Sequence, residues 1–228
     1  MEKMQNTMIK QYKMFAGLGL VIVLIAFILS LVAADATTTF FSVDKAAREA
    51  AVAGTEIVAA NVTRQVLPHW IPAFKFVGLG LMLGAITMAL GIITQTLRGL
   101  GINVMSLWPE GLSPGAPEKP RSAKLFPMLM LMGWMLLIIG LIAAIATNGT
   151  VSAYWSNSVA VVLNPAGVGS IHLDRLAIIT GVKPWLGALR LTGMTLLFTA
   201  ITVALTVIIR TLQGQEMVLR RFIQARAG

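Results

Sequence analysis

Four stretches of this chain carry no Asp, Glu, Lys or Arg: residues 15–34, 76–97, 125–146 and 191–209. Each is 19 to 22 residues long. At roughly 1.5 Å rise per residue, a helix of that length crosses the ~30 Å hydrocarbon core of a bilayer. No water is present there to satisfy peptide groups, so a helix, which bonds its own backbone, is the local solution. The whole chain agrees, because 57% hydrophobic and 12% charged residues make it too apolar for an ordinary soluble domain.

Two of these stretches are written almost twice. Residues 70–99 and 185–214 align without a gap at a constant offset of 115. Trp70 meets Trp185, Lys75 meets Arg190 and Gly78 meets Gly193; Ala85, Ile86 and Thr87 meet Ala200, Ile201 and Thr202. Shared hydrophobicity does not generate so many identities, so the chain reads as a tandem duplication. Repeat 1 covers residues 1–99, a Pro/Gly-rich cytoplasmic linker covers 100–124, and repeat 2 covers 125–228.

Within repeat 1 the expected elements are a span at 15–34, an outer amphipathic helix at 42–66 and a second span at 72–97. Apolar residues at Val43, Ala47, Ala50, Gly54, Ile57, Val58, Val62 and Val66 recur in steps of three and four, with Ser42 as N-cap, Asp44 in the first turn and Pro68 as the stop. Ala34-Asp35-Ala36 resembles a signal-peptide cleavage site, but the apolar run before it is longer than a usual signal core, and its counterpart in repeat 2 lies inside the chain. The run is therefore read as a retained span. From Arg98 to Lys124 the breakers Gly99, Gly101, Pro109, Gly111, Pro114, Gly115, Pro117 and Pro120 argue against any regular structure. Repeat 2 holds a span at 125–146, an outer loop at 147–184 with Asn164-Pro165, Gly167 and Gly169, a span at 186–210, and a basic tail with Arg220, Arg221 and Arg226. Phe40-Phe41 and Tyr154-Trp155 occupy nearly the same repeat position, as expected for rings anchored at headgroup level.

Charge sets the orientation. The segments 1–13, 98–124 and 210–228 hold 11 basic and 4 acidic residues in 59, whereas 35–75 and 147–190 hold 7 and 5 in 85. Basic residues concentrate on the side bearing both termini, which places the termini in the cytoplasm of a plasma membrane, the inner membrane if the source is bacterial. Each repeat has an even number of spans, so the copies run parallel and their pseudo-twofold axis follows the membrane normal.

On a helical wheel the identities between the second and fourth spans fall on one half, Thr87 excepted. The other half exchanges Gly80 for Thr195, Gly84 for Thr199 and Gly91 for Thr206. The shared half reads as a helix-packing face made of Gly78, Ala85, Ala89, Ile93 and Thr96 with Gly193, Ala200, Ala204, Ile208 and Thr211, because small residues let backbones approach. Lys75 and Arg190 lie on the same face near its outer end, beside Trp70 and Trp185. They are candidates for contact with a lipid phosphate, a carboxylate or a partner's acid, against the plainer reading of cations snorkelling to the interface.

Other chemistry is sparse. His69 and His172 both lie outside the spans, which argues against axial haem ligation, and His172-x-Asp174 alone is a weak metal signal. Met128, Met132 and Met135 share a face but lack a His or Cys to complete a copper site, so they read as packing. With no Cys there is no disulfide or thiolate site. The charge-free spans hold no proton relay and no general acid or base. No catalytic residue, metal or cofactor is expected, and the basic excess serves topology rather than nucleic acid. The chain is thus expected to be all-α, an integral membrane four-helix bundle of two tandem two-helix repeats in parallel orientation. Its expected role is that of a non-catalytic subunit or scaffold packing with itself or with other membrane proteins in the lipid bilayer. The alternative is a passive pore or carrier for a small neutral or anionic solute, lined by Lys75, Arg190, Thr87 and Thr202.

Overall fold

The computed structural model describes residues 2–105, 121–165 and 170–227, and every regular element among them is helical. Helix α1 covers Glu2–Phe41, the short α2 Lys45–Ala50 and α3 Glu56–Met105. After a 3-10 turn at Arg121–Lys124 come α4 Leu125–Trp155, the short α5 Val159–Leu163 and α6 Ile171–Ala227. The order long, short, long therefore occurs twice. The four long helices are long and apolar enough to cross a membrane, which suggests a multi-pass membrane protein.

Several boundaries differ from the sequence expectation, each for a local reason. No helix starts at Ser42: α1 runs on to Phe41, and Ser42 instead donates its hydroxyl to the Thr39 carbonyl. The cap is Asp44, whose carboxylate accepts from the Ala47 amide at 3.0 Å. The chain then breaks at 51–55, where Gly54 takes a positive φ of 89° that only glycine adopts without cost. Pro68 does not stop the next helix. Both Pro68 and Pro72 lie inside α3, where each removes one backbone donor, a loss that a long helix tolerates when neighbouring turns hold it. Beyond the second span α3 continues through Arg98, Gly99 and Gly101 to Met105, so the first part of the expected linker is regular. Its breakers Pro109, Gly111, Pro114, Gly115, Pro117 and Pro120 lie outside the described residues, as do Gly167 and Gly169.

The chain forms two units, one of Leu18–Gly80 with Trp134–Met194, the other of Met1–Gly17, Leu81–Gly133 and Thr195–Gly228. In the first, Phe40, Ala51, Val58, Ala60 and Val159 form one apolar cluster around the short helices. The Val159 amide donates to the Ala51 carbonyl at 3.3 Å, tying α5 to the end of α2. A second cluster joins Ala73, Ala144 and Leu186 from α3, α4 and α6, with Trp70 packed against it. In the second unit, Phe126 of α4 lies 3.8 Å from the position that a side chain on Gly91 would occupy. There too the Gln215 side chain of α6 donates to the Leu97 carbonyl of α3.

Burial along α1, α4 and α6 recurs in steps of three, four and seven. On α1 the buried positions are Gly19, Ala26, Ala33, Ala36 and Phe40; on α4 they are Gly133, Leu137, Gly140, Ala144, Val151 and Tyr154. On α6 they are Leu186, Arg190, Gly193, Leu197, Ala200, Ala204 and Val207. Steps of three and four hold one narrow stripe in contact, and small residues at its centre bring the backbones close. Large apolar side chains occupy the remaining faces, among them Phe27, Ile28, Leu131, Ile142, Leu191 and Phe198, all more than half exposed.

At Gly78 the backbones of α1 and α3 come close. A Cβ there would lie 2.8 Å from Ile22 Cγ2, 2.9 Å from Val23 Cγ2 and 3.0 Å from the Gly19 carbonyl oxygen. Gly78→Ala is expected to lower stability by about 1–2 kcal/mol, the overpacking cost outweighing alanine's better helix propensity. Gly149 has nothing within 4 Å, so Gly149→Ala should leave stability unchanged or raise it by up to ~1 kcal/mol. Unfolding midpoints of the two variants in mild detergent titrated with sodium dodecyl sulfate check the contrast.

Candidate functional site

Polar side chains that cross between helices gather in the unit of Leu18–Gly80 and Trp134–Met194. His69 Nε2 lies 2.7 Å from Thr147 Oγ1, and that hydroxyl donates to the Ala143 carbonyl at 2.8 Å. The hydroxyl thus stands between the imidazole of α3 and the backbone of α4. Trp134 of α4 donates its indole N–H to the Gly80 carbonyl of α3 at 3.0 Å. Arg190 of α6 is only 7% exposed. One of its terminal nitrogens reaches the His69 carbonyl at 3.4 Å, and its Nε has no partner. The ion pairs among the described residues are Lys45–Glu49 and Arg220–Glu216, so no carboxylate of the described chain neutralises Arg190.

The residues singled out from the sequence are placed unevenly. Gly78, Ala85, Gly193, Ala200 and Ala204 are buried; Ala89, Ile208 and Thr211 are half-buried; Ile93 and Thr96 are exposed. Trp70 is half-buried, edge-on to Phe74 at 5.9 Å, and joins the Ala73, Ala144 and Leu186 cluster. Its counterpart Trp185 is 44% exposed. Lys75 is half-buried and makes no ion pair among the described residues. Thr87 is fully buried and donates to the Leu83 carbonyl, while Thr202 is exposed and donates to the Phe198 carbonyl. Asp174 is exposed, and among the described residues no three His, Cys, Asp or Glu side chains gather around a common point.

A second constellation is only half visible in the sequence, which marks its ring pairs but not the arginines beside them. Phe40 and Phe41, ending α1, stand edge-to-face with centroids 5.2 Å apart at 88°. Tyr154 and Trp155, ending α4, do the same at 5.1 Å and 89°. The Arg64 guanidinium sits 4.1 Å from the Phe40 centroid and 4.9 Å from that of Phe41. Arg48 lies 5.4 and 4.9 Å from the same two rings. Distances under ~6 Å mark cation–π attraction to the negative ring faces. Arg64 Nε donates to Asn61 Oδ1 at 2.8 Å, and Asn61 is buried. Arg64 precedes the charge-free stretch of α3. Beside them opens a cavity of about 240 Å³ lined by Lys45, Arg48, Asn61, Arg64, Trp155 and Val162, among others. Arg48 and Arg64 are far enough apart in sequence, and interrupted by the break at 51–55, that no periodicity links them to Phe40.

Compared with protein-family models, with curated proteins and with solved structures, the chain matches none.

A buried arginine without a carboxylate gains little from its charge, and apolar replacement of such groups is often neutral or stabilising. Arg190→Met is therefore expected to unfold at the wild-type midpoint or above it. Trp134→Phe, which leaves the Gly80 carbonyl without its indole donor, should lose about 0.6–1.7 kcal/mol. Detergent unfolding of both purified variants checks the opposite signs.

Proposed function

We propose that this chain is a non-catalytic multi-pass membrane subunit that supplies a helix-packing surface to another chain. In this reading α1, α3, α4 and α6 cross a plasma membrane with both termini in the cytoplasm, as two tandem copies in parallel orientation. The twice-repeated order of elements and the matched ring pairs ending α1 and α4 support the duplication. The exposed aliphatic faces and the basic excess at 1–13, 98–124 and 210–228 support the membrane placement.

One observation carries the role. Helix α3 is buried on two opposite faces: Gly78, Leu81 and Ala85 on one, Gly80, Gly84, Thr87 and Thr94 on the other. The second face meets α4 through Trp134 at Gly80 and Phe126 near Gly91. On α6 the repeat-equivalents of Gly80, Gly84, Thr87 and the half-buried Gly91 are Thr195, Thr199, Thr202 and Thr206, all four exposed, as is Ile209, the equivalent of Thr94. A ridge of short hydroxylated side chains running down an apolar helix suits the close approach of another helix better than contact with acyl chains. The hydroxyls of Thr199, Thr202 and Thr206 donate to carbonyls four residues back, so the ridge meets a neighbour without unsatisfied donors. The same bonding withdraws support from a solute path lined by Thr87 and Thr202.

The absence of native cysteine makes the test clean. Thr199→Cys and Thr202→Cys, treated with a short bis-maleimide in native membranes, are expected to give a covalent adduct whose mass identifies a second copy or another subunit. Ile142→Cys on the exposed face of α4 should stay monomeric. Monomer alone at all three positions sinks the proposal.

A further inference from the structure

We infer that the cavity beside Arg48 and Arg64 is a binding site for a phosphate group. Three cations line it, Lys45, Arg48 and Arg64, against the single carboxylate of Glu49. Glu49 is already engaged with Lys45 at 3.6 Å, and both side chains are well exposed. The two guanidinium groups share the same pair of phenylalanine rings. Ring faces hold each cation but do nothing to reduce their mutual repulsion, whereas an anion bridging both forks would.

Two further details point to an absent acceptor. Arg48 Nε is buried with no hydrogen-bond partner, an expensive state for a charged donor. Arg64 is oriented through Nε by Asn61, and neither arginine pairs with a carboxylate among the described residues. A guanidinium so fixed presents a fork that matches phosphate oxygens two at a time. The rest of the lining is largely apolar, from Phe40, Trp155, Val159, Val162 and Leu163, which suits the carbon side of a phosphate ester. At about 240 Å³ the cavity has room for that group and the atoms next to it. A lipid headgroup and a soluble phosphate share this chemistry. The site is independent of the threonine ridge on α6, so neither proposal stands or falls with the other.

Calorimetric titration of the full chain in nonionic detergent and phosphate-free buffer separates the sources. One arm adds phosphatidylglycerol in mixed micelles, the other inorganic phosphate. Saturable binding is expected in at least one arm, weakened about tenfold by Arg48→Gln or Arg64→Gln and about threefold by Lys45→Gln. Lys13→Gln should bind as the wild type does. Binding of phosphatidylglycerol alone assigns the site to a headgroup; binding of inorganic phosphate assigns it to a soluble anion. The exposed Lys45 side chain has no packing role, so Lys45→Gln keeps the test decisive even if the arginine variants fail to fold. No binding in either arm, or wild-type affinity in Lys45→Gln and in whichever arginine variant folds, overturns the assignment.

Discussion

Close approach of helix backbones at small residues is the interaction on which this structure depends. In an apolar chain whose outer faces are as greasy as its contacts, exclusion of water does not discriminate between helix and surroundings. Dispersion across a tight seam and a few cross-helix hydrogen bonds must do so instead. Gly19 facing Gly78 brings α1 against α3, and Gly140 brings α4 within van der Waals reach of Leu189 and Arg190 on α6. Where such a seam ends, side chains grow larger and exposure rises, as at Ile93 on α3. Hydroxyls fit the same logic: nearly every threonine in the charge-free stretches bonds back to its own helix, so it takes little space and asks nothing of its neighbours.

The four long apolar helices were legible because absence of charge over some twenty residues is a one-dimensional signal. Helix ends were legible only where one residue decides them. Asp44 and Ser42 both fit an N-cap by composition, and the choice depends on α1 continuing to Phe41, a matter of what Phe40 packs against. Pro68 reads as a stop because the local rule is correct for an isolated helix. It fails because α3 is held on both sides of the proline, by Asn61 and Val58 before it and by Ala73 after it.

The candidate sites divide along the same line. Arg190 was marked by alignment with Lys75, and it is buried where Lys75 is only half-buried. Gly80, Gly84 and Gly91 differ between the copies and so read from sequence as the freely varying side. In α3 that side is a seam. Variation between the copies therefore records a difference in what each helix meets, which no comparison of the copies alone can distinguish from lack of constraint. The arginine pair over Phe40 and Phe41 was invisible because it joins three elements across a break in the chain.

The asymmetry between α3 and α6 also bears on why Arg190 occurs where it does. A lysine placed like Lys75, half-buried, can extend its amine toward polar surroundings along a flexible stem. At position 190 the stem lies against Gly140 of α4, and a glycine there leaves room for a planar guanidinium to be drawn inside. Drawn inside, it meets a backbone carbonyl at His69 rather than an acid, and keeps an unpartnered Nε. Such an arrangement costs stability in the isolated chain. Selection for stability alone would replace it with an aliphatic residue, as the surrounding stripe of Leu186, Gly193 and Leu197 already illustrates.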